Sequence, residues 1–319
     1  MDEQLETALQ HAFPDRSVAE VGSTGPSWND LNRTVELTFA DGETVYLKIS
    51  TTGAGDRIAR ERALLAYVGA GVDVPVPTIA AADPTAAVPY LATPAVDGES
   101  LIRRWAAADT PERRDLVVEL GRTFATLHAE RFDRHGTIVG GDAEGLVLEP
   151  GSWTDVLIEQ IEQKRRIAPG ERFPDCFERV IDAVAANREL LDGAPAALLH
   201  GDPAHPNGFL ADGRVGLLDW EIAHVGDPAR ELHRARRQLL ESQYFDVADE
   251  LETVLFDAYR EAAGSLPDGF EQRREIYDAV GYLGRAGFFS KWAPDADRPE
   301  EEIADAVATE LERRLSVIR

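Results

Sequence analysis

The chain has 319 residues, 44% of them hydrophobic, which is enough for one large or two modest domains with real cores. Its 58 acidic and 33 basic residues leave a net charge of −25, and only Lys48, Lys164 and Lys291 are lysines; this excludes general nucleic-acid binding, which needs a basic footprint, and predicts adaptation to high salt. No apolar run reaches the roughly 18 residues of a membrane span, the first residues are acidic rather than signal-like, and Cys176 is the single cysteine, so the expectation is a cytoplasmic protein with no membrane partner and no disulfide.

The first hundred residues read as strand-rich. A short helix is predicted over 3–12. The polar turn Val21-Gly22-Ser23-Thr24-Gly25-Pro26-Ser27 precedes a strand over 33–39, Asp41-Gly42 is a hairpin signal, and the strand returns over 43–49. Backbone N–H groups of a small-residue loop such as Ser23, Thr24 and Gly25 can lie over nucleotide phosphates. A plain turn has the same signature, and the loop lacks Gly-x-Gly-x-x-Gly spacing.

In the returning strand Val45, Leu47 and Ile49 share one face and Lys48 projects from the other. The helix predicted over 56–68 carries its apolar stripe on Ile58, Leu65 and Val68. Glu61 falls on that stripe, three places after Ile58. A carboxylate there needs a cationic partner, because an unpaired buried charge is expensive. Lys48 is the natural one in a chain that otherwise avoids lysine; the ordinary alternative is a surface pair with Arg60 or Arg62. Val74-Pro75-Val76-Pro77 breaks the helix, and 88–96 reads as a closing strand. A division is expected near residue 96.

The remainder reads as mostly helical. Helices are predicted over 113–131, with Leu116, Leu120, Phe124 and Leu127 in register and His128 as a core or capping residue, and over 153–165 and 174–191. After residue 230 come helices over 231–243, 247–263, 270–292 and 300–315. Tyr282, Phe288, Phe289 and Trp292 lie at helical spacing, a pattern more common in cores than in pockets.

Between these helical stretches lies the most informative block. His200-Gly201-Asp202 is followed by Asn207, five places after the aspartate, and Leu217-Leu218 leads into Asp219-Trp220-Glu221. If Asp212-Gly213 is a hairpin turn, Leu210 pairs with Val215, Asn207 lies opposite Leu218, and Asp219 sits within one residue of Asn207. An amide oxygen and a carboxylate close together suit Mg²⁺, which takes hard oxygen ligands. Asp202 precedes the hairpin in a polar loop, placed to accept a proton from a substrate hydroxyl.

The block resembles that of the aminoglycoside phosphotransferase and choline kinase group, small-molecule relatives of protein kinases. Gly226-Asp227-Pro228-Ala229-Arg230-Glu231-Leu232 looks like the segment that follows the metal-binding aspartate in that group. The resemblance implies an α+β, bilobal protein kinase-like fold with a small antiparallel-sheet N-lobe (1–96, nucleotide-binding) and a larger mainly helical C-lobe (97–319). It implies ATP (or GTP) and Mg²⁺ as cofactors, Asp202 as base, Asn207 and Asp219 as metal ligands, and His200 as structural. Lys48, held by Glu61, would meet the non-transferred phosphates beneath the Ser23, Thr24 and Gly25 loop. The partner would be a small-molecule hydroxyl acceptor of undetermined identity. Two positions depart from the pattern: His205 stands three places after Asp202 rather than two, and Glu231-Leu232 replaces the frequent Asp-Leu. Two other classes compete. One is a metal-dependent hydrolase ligating through His200, Asp202, His205 and Asp219; the other is a catalytically silent nucleotide-binding module.

Overall fold

The computed structural model describes residues 2–22, 31–169, 172–240 and 250–318. Helix α1 (Glu3–Ala12) is capped by Asp2, whose carboxylate accepts from Leu5 N at 3.0 Å. Strands β1 (Val18–Val21), β2 (Asn32–Phe39) and β3 (Thr44–Ser50) follow, with the β2–β3 turn at Gly42 (φ 87°), a conformation that favours glycine. Helix α2 (Asp56–Gly71) then leads to β4 (Ala81–Asp83) and β5 (Tyr90–Pro94). The five strands form an antiparallel sheet in the order β1-β2-β3-β5-β4. One face of β2 and β3 alternates into a core of Leu37, Phe39, Val45, Leu47 and Ile49, closed by Leu5, Ala8 and Leu9 of α1.

The second half is built mainly of helices. After β6 (Glu99–Ser100) and α3 (Leu101–Ala107) comes α4 (Thr110–His128), opened by a capping box between Asp109 and Glu112 with Pro111 in the first turn. Strands β7 (His135–Asp142) and β8 (Gly145–Gly151) precede α5 (Trp153–Ile167), α6 (Cys176–Ala186) and α7 (Arg188–Asp192). Next are β9 (Ala197–Leu199), β10 (Gly208–Ala211), β11 (Arg214–Leu217), β12 (His224–Gly226) and α8 (Pro228–Ala235), which runs into a π turn over Arg236–Leu240. Helices α9 (Glu250–Ala263), α10 (Phe270–Gly287), α11 (Phe289–Trp292) and α12 (Glu300–Val317) complete the chain. Their core centres on Trp105, Phe124, Trp153, Leu157, Tyr259 and Leu283.

The antiparallel-sheet portion followed by a helical portion matches the fold class expected from sequence. Three local expectations are corrected. The β7–β8 hairpin interrupts the helical portion and joins β12 and β9 in a four-stranded sheet; its Gly136, Gly140 and Gly141 obscure the strand pattern in sequence. The 174–191 helix is broken at Asn187, whose amide donates to Ala183 O and Ile318 O, both at 2.8 Å. The 270–292 helix breaks after Gly287, where the backbone turns at Phe288.

A further core couples the two portions. Ile58, Leu64, Leu65 and Val68 of α2 pack with Leu198, Leu217, Trp220 and Val225 from the strands around β9 to β12. Helix α2 is therefore anchored to the elements that carry the His200–Glu221 block.

Candidate active site

The hairpin forms in the register read from sequence. Leu210 pairs with Val215 and Gly208 with Leu217. Asp212 (φ 51°) and Gly213 (φ 77°) are both left-handed, as a two-residue turn of this twist requires. Leu218 N donates to Asn207 O at 2.8 Å, so Asp219 leaves the strand one residue beyond Asn207's partner. Asp219 is itself left-handed (φ 62°), and its side chain is 42% exposed. That backbone costs energy for a residue with a Cβ, and such strain collects at functional positions.

The loop that carries Asp202 is fixed from beneath by Glu231. The buried Glu231 carboxylate accepts from His200 N at 2.9 Å and Gly201 N at 2.6 Å, and its Oε2 is 3.0 Å from His128 Nε2. Burial opposes its charge, yet His128 and the backbone donors bring the carboxyl down to about 2. His200 is also internal: its Nε2 lies 2.8 Å from Leu218 O, its Nδ1 accepts from Asp202 N, and its ring meets Trp220 edge-on at 4.6 Å. Gly201 (φ 86°) turns the chain where an added Cβ would come 2.8 Å from Ile222 O. These contacts aim Asp202 outward, and its side chain is 31% exposed.

The two oxygens of Asp202 face different partners. Oδ2 accepts from Asn207 Nδ2 at 3.0 Å. Oδ1 accepts from Arg234 Nη2 and Gln238 Nε2, each at 2.7 Å. Burial would raise the carboxyl, but Arg234 and Gln238 hold it below the ordinary value. Asp202 is thus an ionised hydrogen-bond acceptor. With Asn207 Nδ2 committed to Asp202, the donor atom that this amide has left for a cation is oxygen. Asn207 and Asp219 together fit the hard-oxygen ligand set of Mg²⁺.

Lys48 closes the site from the β-sheet side. Its Nζ lies 2.6 Å from Glu61 Oε2, 2.6 Å from Asp219 Oδ1 and 3.4 Å from Glu221 Oε2. Burial opposes the ammonium, but Asp219, Glu61 and Glu221 raise it well above the ordinary lysine value. Burial pushes Glu61 the other way, upward, against the pull of Lys48. Arg60 does not pair with Glu61; it donates to Ile138 O at 2.6 Å and Glu221 O at 2.9 Å. Ser23, Thr24 and Gly25 lie outside the described residues.

Several site residues were not anticipated from sequence. Glu221 accepts from Asn32 Nδ2 at 2.7 Å and Arg57 Nη1 at 2.6 Å, binding β2 and α2 to the segment after Asp219. Its place directly after Asp219-Trp220 was a signal; Asn32 and Arg57 offered none. Arg234 and Gln238 reach Asp202 from one face of α8 and the π turn, four residues apart. By contrast, Tyr282, Phe288 and Phe289 are buried: Tyr282 lies under Arg314 at 4.9 Å, and Phe289 meets Phe173 and Trp292 edge-on, each at 5.4 Å.

Residues 24–276 match the phosphotransferase enzyme family. The chain belongs to that family. A curated relative of this phosphotransferase, an uncharacterized protein YcbJ from Bacillus subtilis, is 28% identical over 261 residues, 77% of this chain and 78% of that protein. Solved structures share the fold throughout. One, assigned as a fructosamine-3-kinase of Thermobifida fusca, has TM-score 0.61 and 21% identity and covers 99% of both chains. A thermostable mutant of aminoglycoside phosphotransferase APH(4)-Ia gives 0.61 and 17%, covering 98% of this chain and 97% of that one. Macrolide 2′-phosphotransferase MphH from Brachybacterium faecium gives 0.57 and 20%, covering 96% and 98%.

The hydrolase alternative has no geometric support. His205 packs at a tilt against Trp105 with ring centroids 4.7 Å apart, burial lowers it to about 4, and His200 is engaged on both ring nitrogens. Among the described residues, the acidic and histidine side chains that converge with ligand spacing are Glu61, Asp219 and Glu221, with no histidine among them.

Proposed function

We propose that this phosphotransferase is a small-molecule kinase that transfers the γ-phosphoryl group of ATP to an alcohol. The observation that carries the reading is the convergence of Lys48 from the sheet, Glu61 from α2 and Asp219 from the β11 exit within single hydrogen-bond distances. The β3–α2 pair meets there a residue 171 positions away from Lys48, and phosphoryl transfer needs that convergence for positioning and charge stabilisation.

In this reading Lys48, steadied by Glu61, contacts the non-transferred phosphates. Asn207 and Asp219 would hold Mg²⁺, which when bound offsets charge on the phosphate oxygens. Asp202 accepts the hydrogen bond of the acceptor hydroxyl and orients it. The acceptor oxygen bonds to the γ-phosphorus as the bond to the β–γ bridging oxygen breaks; the hydroxyl proton passes to Asp202, and ADP leaves. A carboxylate held below its ordinary value is a weak base. It suits a loose transition state, which asks for orientation first and for proton transfer late. An APH(4)-Ia crystal contains ADP and hygromycin B, and another contains AMP-PNP and hygromycin B, which supports an adenine nucleotide here.

The reading is tested by ³¹P NMR of Mg-ATP, and separately Mg-GTP, with a panel of alcohols at high salt. Formation of a phosphate ester with release of the diphosphate is expected. Absence of Mg²⁺-dependent nucleotide binding would refute the reading, and binding without any transfer would leave the silent-module alternative.

A further inference from the structure

Helix α8 and the π turn after it present three polar side chains to the catalytic loop. Arg234 and Gln238 follow Glu231 by three and seven places, the spacing of one helical face. Glu231 fixes the loop backbone at His200 and Gly201. Arg234 and Gln238 reach the Asp202 side chain itself. The helix that carries them is firmly seated. The buried Asp227 carboxylate caps it by accepting from Ala229 N at 3.0 Å, and Arg273 Nε donates to the same carboxylate at 2.6 Å.

The contacts close into a ring. Arg234 Nη2 and Gln238 Nε2 each donate to Asp202 Oδ1 at 2.7 Å, and Arg234 Nε donates to Gln238 Oε1 at 3.0 Å. With Oε1 taken by the guanidinium, the amide turns its N–H toward Asp202. Gln238 lies in the π turn over Arg236–Leu240, a widened turn that is rare in helices and recurs at functional sites. Arg234 and Asp202 are half-buried, and ion pairs of that exposure contribute little to stability. What the ring supplies is orientation. An aspartate carboxylate otherwise turns broadly about its last torsion. A carboxylate oxygen has two lone-pair directions, and on Oδ1 both are occupied. Among the described residues Oδ2 accepts from Asn207 Nδ2 alone, at 3.0 Å.

We propose that Arg234 and Gln238 are positioning residues for phosphoryl transfer, pinning Asp202 Oδ1 so that Oδ2, on the Asn207 side, receives the acceptor hydroxyl. This rests on the kinase reading above and assigns the proton to one atom. As the acceptor oxygen bonds to the γ-phosphorus and the bond to the β–γ bridging oxygen breaks, the hydroxyl proton passes to Oδ2. Without the ring the carboxylate would turn, and the hydroxyl would lose its fixed partner.

The probe is Mg-ATP with water as the acceptor, followed as release of inorganic phosphate. Arg234→Met should lower kcat about ten-fold or more with the Mg-ATP KM unchanged, since misplacing a reacting group by about 1 Å costs up to roughly 10²-fold. Gln238→Glu keeps an oxygen for Arg234 but withdraws the N–H from Oδ1, and should lower kcat in the same sense. Arg234→Lys should restore part of the loss, because the charge returns without the second N–H for Gln238. A readout free of turnover is the side-chain amide signal of Asn207, one of four asparagines, in protein labelled with ¹⁵N-asparagine. It should shift and broaden in Arg234→Met as Asp202 begins to turn, and recover in Arg234→Lys. A kcat equal to or above wild type in Arg234→Met and Gln238→Glu would make the ring a block on Oδ1 rather than a support. A matching rise in the Mg-ATP KM would place Arg234 on the nucleotide, and lost thermal stability with unchanged kcat would make the pair structural. Each of these contradicts the proposal. Absence of Mg-ATP binding in the wild type would remove the kinase reading, whereas an unchanged Asn207 signal in Arg234→Met would remove the positioning role whether or not the nucleotide binds.

Discussion

At the scale of single residues, the site is a set of charges each held by a named partner. Lys48 bridges Glu61 and Asp219 at 2.6 Å each, and the pairing with Glu61 follows from a sequence argument: a glutamate on an apolar helical stripe needs a cation. The neighbouring glutamate was not legible in the same way. Glu221 is recruited by Asn32 and Arg57, two residues with nothing in their local pattern to mark them, and only the fold brings them together. Since Lys48 and Glu61 act as one unit, Lys48→Ala and Glu61→Ala should each reduce transfer strongly, and the double variant should lose much less than the product of the two. Single-turnover rates for the four proteins measure this, and full additivity would show that the residues act separately.

At the scale of elements, the catalytic loop depends on one helix-borne carboxylate. Glu231, in the first turn of α8, holds two successive backbone N–H groups of the loop and touches His128 of α4. The sequence showed only a glutamate in place of a frequent aspartate; its role follows from the approach of α8 to the loop. Glu231→Gln keeps one acceptor oxygen for three donors and should destabilise the protein by about 2–4 kcal/mol, with a matching loss of transfer as Asp202 loses its aim. Because the folded-state carboxyl is depressed to about 2, its contribution is complete above about pH 4.5 and is lost as pH falls toward 2. The variant should therefore show a shallower loss of stability across that acid range, read from denaturant midpoints at stepped pH. A parallel acid limb in both proteins would contradict this role. The β10–β11 hairpin was legible down to its register because Asp-Gly dictates the turn, whereas the glycine-rich β7–β8 hairpin was not.

At the scale of the whole molecule, the sheet portion and the helical portion follow from apolar patterning, while the packing of α2 against the strands around β9 to β12 is brought about only by the fold. The net charge of −25 adds a global term: self-repulsion falls as salt screens it. We predict that the thermal midpoint rises from low to molar potassium chloride, and a fall over that range would contradict salt adaptation. The central claim is the division of labour between the two aspartates, with Asp202 meeting the acceptor and Asp219 the metal-nucleotide. Calorimetric Mg-ATP binding, set beside single-turnover transfer to the alcohol that reacts in the panel, tests it for Asp202→Asn and Asp219→Asn. In Asp202→Asn, binding should stay within a few-fold of wild type while transfer falls by roughly 10² or more; in Asp219→Asn, both should collapse. Loss of Mg-ATP binding in Asp202→Asn, or wild-type transfer in either variant, would contradict the account.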